Sequence, residues 1–464
     1  MNKNIAKKAL AFGLAASIGL SGMSFAAPSN DERLGFMNEM IKYVEKNFKG
    51  EADQEKLLDA AFEGILDSTD KYSEYYTVDE YKTFTDRTSG VFGGVGITIT
   101  AESGYLRVIS PIDGTPGFRS GIKSGDMIVE VDGESIKDVP SGDVIKRIKG
   151  KPGTDVILGI RREGETEVLN FTITREIIEV NPVEAKIMDG GIGYIKLKEF
   201  NDNSARDFGK TLLDQMDQNV KGLIIDLRNN PGGSLSQVID IADYFVPEGK
   251  AIVRIDYKAK IDRIYKSEMV NVKLPIVVLV NEGSASASEI LASAIQDNKT
   301  GVVVGVKSYG KGTVQSVTNM GEYGAFKLTV AEYMSSGDNK INGVGVIPDV
   351  VIKNPEMEDK EAAKAFAPMP EDKVNKLGDT GLNIYGAQQR LQFLGYSVKP
   401  DGKMGQKTVD AIKLFQKSRD IDTTGNLDYQ TRRELREEVA DIYSGGTEDA
   451  QLAKAVELLK NRIK

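Results

Sequence analysis

The chain has 464 residues, 40% hydrophobic and 28% charged, an ordinary globular composition with length for roughly two to four domains. Lys and Arg number 60 against 69 Asp and Glu, a formal charge of −9, which argues against nucleic acid as the main partner because a phosphate backbone attracts the opposite sign. His and Cys are both absent, which excludes Ser-His-Asp triads, Cys-His pairs, disulfides, iron–sulfur clusters and almost every catalytic zinc site. Any chemistry falls to Ser, Thr, Lys, Tyr, carboxylates or amides.

Residues 1–26 have the form of an export signal. Lys3, Lys7 and Lys8 precede an apolar stretch from Ala9 to Leu20, and Ser24-Phe25-Ala26 offers the small residues of a cleavage site. The run is short for a membrane span. The expectation is export across the cytoplasmic membrane to a periplasm, a wall zone or the exterior, with a retained signal anchor as the alternative. No Cys follows, so lipid anchoring is excluded. Removal of 1–26 takes away three Lys and no acid, moving the formal charge to −12.

Residues 30–88 carry a helical pattern: Leu34, Met37, Ile41, Val44 and Phe48 recur at three- and four-residue steps, followed by Leu57, Ala61 and Ile65. The aromatic run Tyr72, Tyr75, Tyr76, Tyr81 and Phe84 is a core stripe or an interface. Residues 90–175 change to short β-like runs at 96–100, 106–109, 127–131, 156–160 and 168–174, separated by glycine turns, with helices near 117–121 and 141–148. Residues 176–353 alternate strands with helices. A strand is expected at 192–197 and buried strands at 222–227 and 276–280, helices at 204–216, 234–245 and 287–296, and further strands at 302–306 and 325–333. Residues 354–377 have the Pro, Glu, Lys and Ala content of a linker. Residues 378–437 form a compact helical segment, and 440–464 end in an amphipathic helix suited to packing or dimer formation. The fold class is therefore multidomain, α/β with α+β. A layered α/β core follows a β-rich module inserted after N-terminal helices, and a small all-α domain closes the chain.

Three loops carry candidate chemistry. Asn281-Glu282-Gly283-Ser284-Ala285-Ser286-Ala287-Ser288-Glu289 joins a buried strand to a helix, where unpaired helix N–H groups can stabilise a developing oxyanion. The same Ser286-Ala287-Ser288-Glu289 is also a plain capping box. In Gly310-Lys311-Gly312, Lys311 is a turn lysine or, since an activated serine needs a base and no imidazole exists, a candidate general base held neutral by burial. Gln315 lies four residues on, about 13 Å away in extended chain, so contact with Lys311 requires leaning side chains or a bent strand. The Asp226–Gly233 loop ends in two glycines, which serve a close-approaching oxyanion or anion nest, or simply a tight strand-to-helix turn.

Taken together, these loops resemble those of the carboxy-terminal processing peptidases (tail-specific proteases) of the Ser-Lys class. The match extends to Phe92-Gly93-Gly94-Val95-Gly96-Ile97, Gln296-Asp297, Gly310-Lys311-Gly312-Thr313-Val314-Gln315 and Gly345-Val346-Ile347-Pro348-Asp349. The resemblance makes 176–353 a protease core. It implies Ser286 as nucleophile, Lys311, 25 positions later, as general base, and Gln315 as the residue orienting that lysine. It further implies the backbone amides of Ala287 and of Gly232 or Gly233 as oxyanion donors, and Asp297 in a structural role. The 90–175 module resembles a PDZ domain whose Gly94-Val95-Gly96-Ile97 loop captures a substrate's terminal carboxylate while the peptide adds as a strand. In this family that domain gates the active site. Lys149 stands where relatives carry an arginine tied to gating, and no role is carried over to it. Residues 378–437 resemble a peptidoglycan-binding domain through Gly378-Asp379-Thr380-Gly381, Gln389-Arg390-Leu391, Leu394-Gly395-Tyr396, Asp401-Gly402-Lys403-Met404-Gly405, Thr408 and Phe415-Gln416. The alternative there is a helical oligomerisation domain without sugar contacts.

The expected function is a secreted, ATP-independent serine endopeptidase acting on proteins with exposed C-termini, tethered to peptidoglycan, homodimeric, and needing no cofactor or metal. Its rivals are a catalytically silent PDZ and wall-binding scaffold, which would be expected to have lost Ser286 or Lys311, and an exported solute-binding protein, which would lack the inserted module.

Overall fold

The computed structural model describes residues 28–162, 164–258, 262–354, 366–369, 373–443 and 449–463. The export signal expected at 1–26 lies outside them. The chain divides into two compact units, up to Tyr75 and from Tyr76 onward.

The first unit contains helices α1 (Asn30–Asn47) and α2 (Gln54–Asp67). α1 begins with a reciprocal cap: the Ser29 N–H donates to Glu32 (2.9 Å) and the Glu32 N–H donates back to the Ser29 hydroxyl (3.3 Å). Of the predicted α1 stripe only Ile41 is buried, while Leu34 and Phe48 are exposed. Tyr75 packs against Phe62 with ring centroids 5.3 Å apart.

The second unit opens with α3 (Val78–Ser89), on which Phe84 stacks with Tyr76 and Tyr81; all three rings are half-buried. The chain then enters and leaves the PDZ module through a two-stranded antiparallel ribbon, β1 (Val91–Gly94) paired with β8 (Glu176–Glu179) from Val91↔Glu179 to Gly94↔Glu176. Between them lie β2 (Ile97–Glu102), β3 (Tyr105–Pro111), α4 (Pro116–Arg119), β4 (Met127–Val131), β5 (Glu134–Ser135), α5 (Ser141–Ile148), β6 (Asp155–Arg161) and β7 (Leu169–Thr174). The strands run in the order β2-β3-β4-β6-β7, with β5 on β4, so β2 is an edge. Inward residues such as Val108, Ile128, Val131, Leu158 and Ile160 meet Val144 and Ile148 of α5 in one closed core. Buried Arg175, at the exit, donates to the carbonyls of Arg147 (2.8 Å), Ile148 (2.9 Å) and Asp155 (2.8 Å), satisfying the last turn of α5.

The α/β core contains β9 (Val183–Met188), β10 (Ile192–Leu197), α6 (Ser204–Asp217), β11 (Gly222–Asp226), α7 (Leu235–Asp243), β12 (Ala251–Tyr257), β13 (Arg263–Lys266), β14 (Ile276–Val280), α8 (Ala287–Asp297), β15 (Gly301–Gly305), β16 (Thr313–Asn319), β17 (Ala325–Ser335) and β18 (Val350–Val351). The main sheet runs β9-β10-β11-β14-β15-β18, parallel from β10 onward. β11 and β14 are buried throughout, as uninterrupted apolar runs of a doubly covered parallel sheet should be. α6, α7 and α8 bury Phe208, Leu212, Val238, Ile241, Leu291 and Ile295 on one face. β12, β13, β16 and β17 form a second, antiparallel sheet.

After β18 come α9 (Leu382–Phe393), α10 (Gln406–Ser418) and α11 (Tyr429–Tyr443) of the peptidoglycan-binding-type domain, and then α12 (Ala450–Ile463). Two buried glutamines organise the domain in the same way. Gln388 of α9 accepts from the N–H groups of Asp401 and Gly402 and donates to Thr408; Gln416 of α10 accepts from the Gly425 N–H and donates to Thr431. Each turn is held by an amide from the preceding helix, so that among the signature residues Asp401, Gly402, Thr408 and Gln416 hold the fold together. The described stretches 366–369 and 373–377 of the expected linker are pinned to this domain rather than loose. Phe366 packs edge-on against Phe393, the Ala367 N–H donates to Gln389 (2.8 Å), and Asn375 exchanges backbone bonds with Leu427.

α12 returns to the core. Its Ala455 and Leu459 cover Ile192, Ile224, Val277, Leu279 and Val304, the sheet face opposite α6–α8. The final helix is thus a packing element, and the peptidoglycan-binding-type domain is an insertion between two parts of the core. No helix among the described residues is long and apolar enough to cross a membrane.

Candidate active site

The three chemistry-bearing loops leave the carboxyl ends of adjacent parallel strands: 227–233 after β11, 281–286 after β14 and 306–312 after β15. That edge of an open α/β sheet is where loops converge and backbone N–H groups of following helices point outward.

Ser286, half-buried, takes up φ 55°, ψ −115° immediately before α8. A positive φ at a non-glycine residue costs of the order of 1–3 kcal/mol and persists only where the surroundings impose it. Two groups impose it here. Buried Glu289 accepts the Ser286 N–H at Oε2 (2.9 Å), as the capping-box reading anticipates. The same oxygen accepts the Lys311 N–H (2.9 Å), while Oε1 accepts from the Gly310 N–H (2.6 Å) and the Ser308 hydroxyl (2.5 Å). One oxygen shared by both amides holds the nitrogens of Ser286 and Lys311 within about 6 Å. On the other side the Tyr333 hydroxyl lies 3.0 Å from the Ser286 carbonyl oxygen and 2.5 Å from that of Lys311. Two residues 25 positions apart are therefore bracketed by the same carboxylate and the same phenol. Lys311 is half-buried. Its neighbour Gly312 admits no side chain, since a Cβ there would meet the Asn342 nitrogen at 2.4 Å.

The 227–233 loop is pressed against Ser286. A Cβ on Gly232 (φ +98°) would lie 2.7 Å from the Ser286 Cβ and 2.9 Å from the Ala287 nitrogen. Buried Asn230 ties the two loops together: its carbonyl accepts from the Ala285 N–H (3.0 Å) and the Ser288 hydroxyl (2.9 Å). Its side chain donates to the Leu197 carbonyl (2.8 Å) and accepts the Gly232 N–H (2.9 Å). That last bond corrects the expectation for Gly232. Its N–H is already engaged, and the glycine serves close approach. The N–H groups of Gly233 and Ala287 donate to nothing among the described residues.

The Gln315 amide donates to Thr313 (2.8 Å) and to Thr329 (3.1 Å), which a bulge at Val330 of β17 brings opposite it. Asp297 accepts from the Gly337 N–H (2.7 Å) and the Ser336 hydroxyl (3.2 Å), fixing the turn after β17.

In the PDZ module the Val95 carbonyl accepts from the Gly117 N–H (2.7 Å), and that of Gly96 from the Ile112 N–H and the Thr115 hydroxyl (2.9 Å each). With carbonyls turned inward, the Val95 and Gly96 N–H groups find no acceptor among the described residues. Gly94 ends β1 and Ile97 starts the edge strand β2. The Lys149 ammonium sits 4.0 Å over the Phe92 ring of the β1–β8 ribbon, and burial lowers its proton affinity against the opposing pull of Asp86.

Family models match peptidase family S41 over residues 191–352, a PDZ domain over 93–173 and a peptidoglycan binding domain over 380–435. Over 443 residues the chain is 33% identical to the carboxy-terminal processing protease CtpA of Bacillus subtilis (strain 168), an alignment covering 94% of this chain and 92% of that one. The chain belongs to peptidase family S41, the carboxy-terminal processing proteases. It is also 30% identical over 440 residues to CtpB of the same organism, covering 94% of this chain and 90% of that one. A carboxy-terminal-processing protease of Bartonella bacilliformis is 34% identical over 354 residues, 74% of this chain and 81% of its own.

No sequence signal assigns Glu289, Tyr333 or Asn230 a role in joining the loops of the site. Glu289 was visible as half of a capping box, but its bonds to Gly310 and Lys311 span more than twenty positions. Tyr333 carries no local signal at all.

Proposed function

We propose that the chain is an exported serine endopeptidase in which Ser286 is the nucleophile and Lys311 the general base. The observation that carries this reading is the shared bracket of Glu289 and Tyr333 around the two residues, in a chain without histidine. Neutral Lys311 Nζ takes the Ser286 hydroxyl proton as Oγ attacks the scissile carbonyl. The negative oxygen of the tetrahedral intermediate is received by the Ala287 and Gly233 N–H groups. The carbon–nitrogen bond breaks as Lys311 passes its proton to the leaving amine, leaving an ester on Ser286. Water, losing a proton to Lys311, attacks that ester, and the proton returns to Oγ. Gln315, held by its two threonines, presents its amide oxygen as the group that orients the lysine.

The PDZ module takes the substrate's C-terminal carboxylate at the Val95 and Gly96 N–H groups and adds the peptide to the open edge of β2, gating the core through the β1–β8 ribbon. The α9–α11 domain tethers a homodimeric enzyme to peptidoglycan. The test is cleavage of a peptide substrate by the purified chain beside Ser286→Ala and Lys311→Ala. Both variants are expected to lose activity, and the wild-type rate should fall as acidification protonates Lys311. Equal turnover by all three would end the assignment.

A further inference from the structure

Arg228, two residues before Asn230, makes a set of contacts that the chemistry above does not use. Its guanidinium binds Asp226 of β11, with Nε 2.9 Å from Oδ1 and Nη2 2.6 Å from Oδ2. It also grips Asp449 in fork-to-fork fashion, Nη1 to Oδ1 at 2.7 Å and Nη2 to Oδ2 at 2.9 Å. A further bond runs from Nη1 to Gln451 (3.2 Å). Asp449 in turn caps α12, accepting the Leu452 N–H (3.0 Å), and takes a bond from Asn354 (3.1 Å). Asp226 is buried and also accepts the Tyr194 hydroxyl (2.7 Å). The Arg228 guanidinium thus joins the end of β11, through Asp226, to the start of α12, through Asp449 and Gln451, and Arg228 itself stands in the stretch that turns out of β11 toward Gly232 and Gly233. From there the order passes through Asn230 to Ala285 and Ser288, on either side of Ser286.

We infer that Arg228 and Asp449 are positioning residues: α12 latches the 227–233 loop, so that this helix sets the placement of the Gly233 amide beside Ser286. This rests on the reading of Gly233 as an oxyanion donor. The helix is already held by its apolar contacts with the sheet, so the bidentate pair adds direction to the loop more than attachment to the helix.

The test uses the full chain with Asp449→Asn, which keeps the shape and a cap for α12 but loses the charge, and Asp449→Glu as the conservative variant. Hydrogen exchange, run in a Ser286→Ala background to prevent self-cleavage, should show faster exchange of the Asn230, Gly232 and Ala285 amides in Asp449→Asn, and partial return in Asp449→Glu. In the Ser286 enzyme, kcat should fall about tenfold with KM within about twofold, because an oxyanion contact acts in the transition state. Loop exchange unchanged while only α12 exchanges faster would overturn the latch. Faster loop exchange in a chain that cleaves nothing, wild type included, would leave the latch standing and sink the peptidase reading instead. Should Asp449→Asn fail to fold, Arg228→Lys, which keeps the charge without the fork, carries the same two readouts.

Discussion

Ser286 holds a backbone conformation that an L-residue adopts only under constraint, and the constraint is visible: Glu289 on its N–H and Tyr333 at its carbonyl. Glycine populates that region at little cost. Ser286→Gly is therefore expected to melt above Ser286→Ala, by the equivalent of about 1 kcal/mol in a denaturant titration, while both are inactive. Identical midpoints would mean that the turn is unstrained. The same residue shows how far local pattern reaches. A serine before a helix with glutamate at the third position announces a cap, and the lack of histidine turns attention to lysine. Which carboxylate knits the two segments together depends on contacts between β15 and α8 that no spacing encodes.

At the scale of elements, apolar periodicity and glycine punctuation were sufficient for the buried parallel strands β10, β11 and β14 and for α5 and α8, all of which lie within two residues of their expected bounds. The strands β9, β13 and β16 escaped because they are half-solvated, and alternation broken by charged residues resembles a loop. The α12 contact makes a pH prediction. Burial alone would raise the Asp449 carboxyl, but Arg228 and the Leu452 N–H more than offset it, holding the group below the ordinary carboxylate range. A depressed folded pKa contributes stability that is complete above about pH 4 and is lost as pH falls through the folded value. The stability difference between wild type and Asp449→Asn should thus be constant from pH 5 to 8 and shrink toward pH 3. A gap that widens in acid would reverse the sign assigned to the pair.

For the whole molecule, the decisive feature is that the core is discontinuous in sequence. Composition located a compact helical segment near the C-terminus, but only packing shows that the chain passes through it and comes back. A chain ending before Ala450 would leave Ile192, Ile224, Val277, Leu279 and Val304 without their cover. Each fully exposed aliphatic side chain forfeits roughly 1.5–3 kcal/mol, so the truncated protein is expected to aggregate on expression. A soluble, monodisperse product in size-exclusion chromatography would contradict this.

A ribosome builds this molecule from its N-terminus, so the helix that closes the sheet emerges after every strand it covers. The Ser286 and Lys311 loops exist well before their support does, and a nascent chain can hold both residues without a finished fold around them. Synthesis order thereby acts as a timer: the sheet gains its second dry face only once translation has passed Ile463.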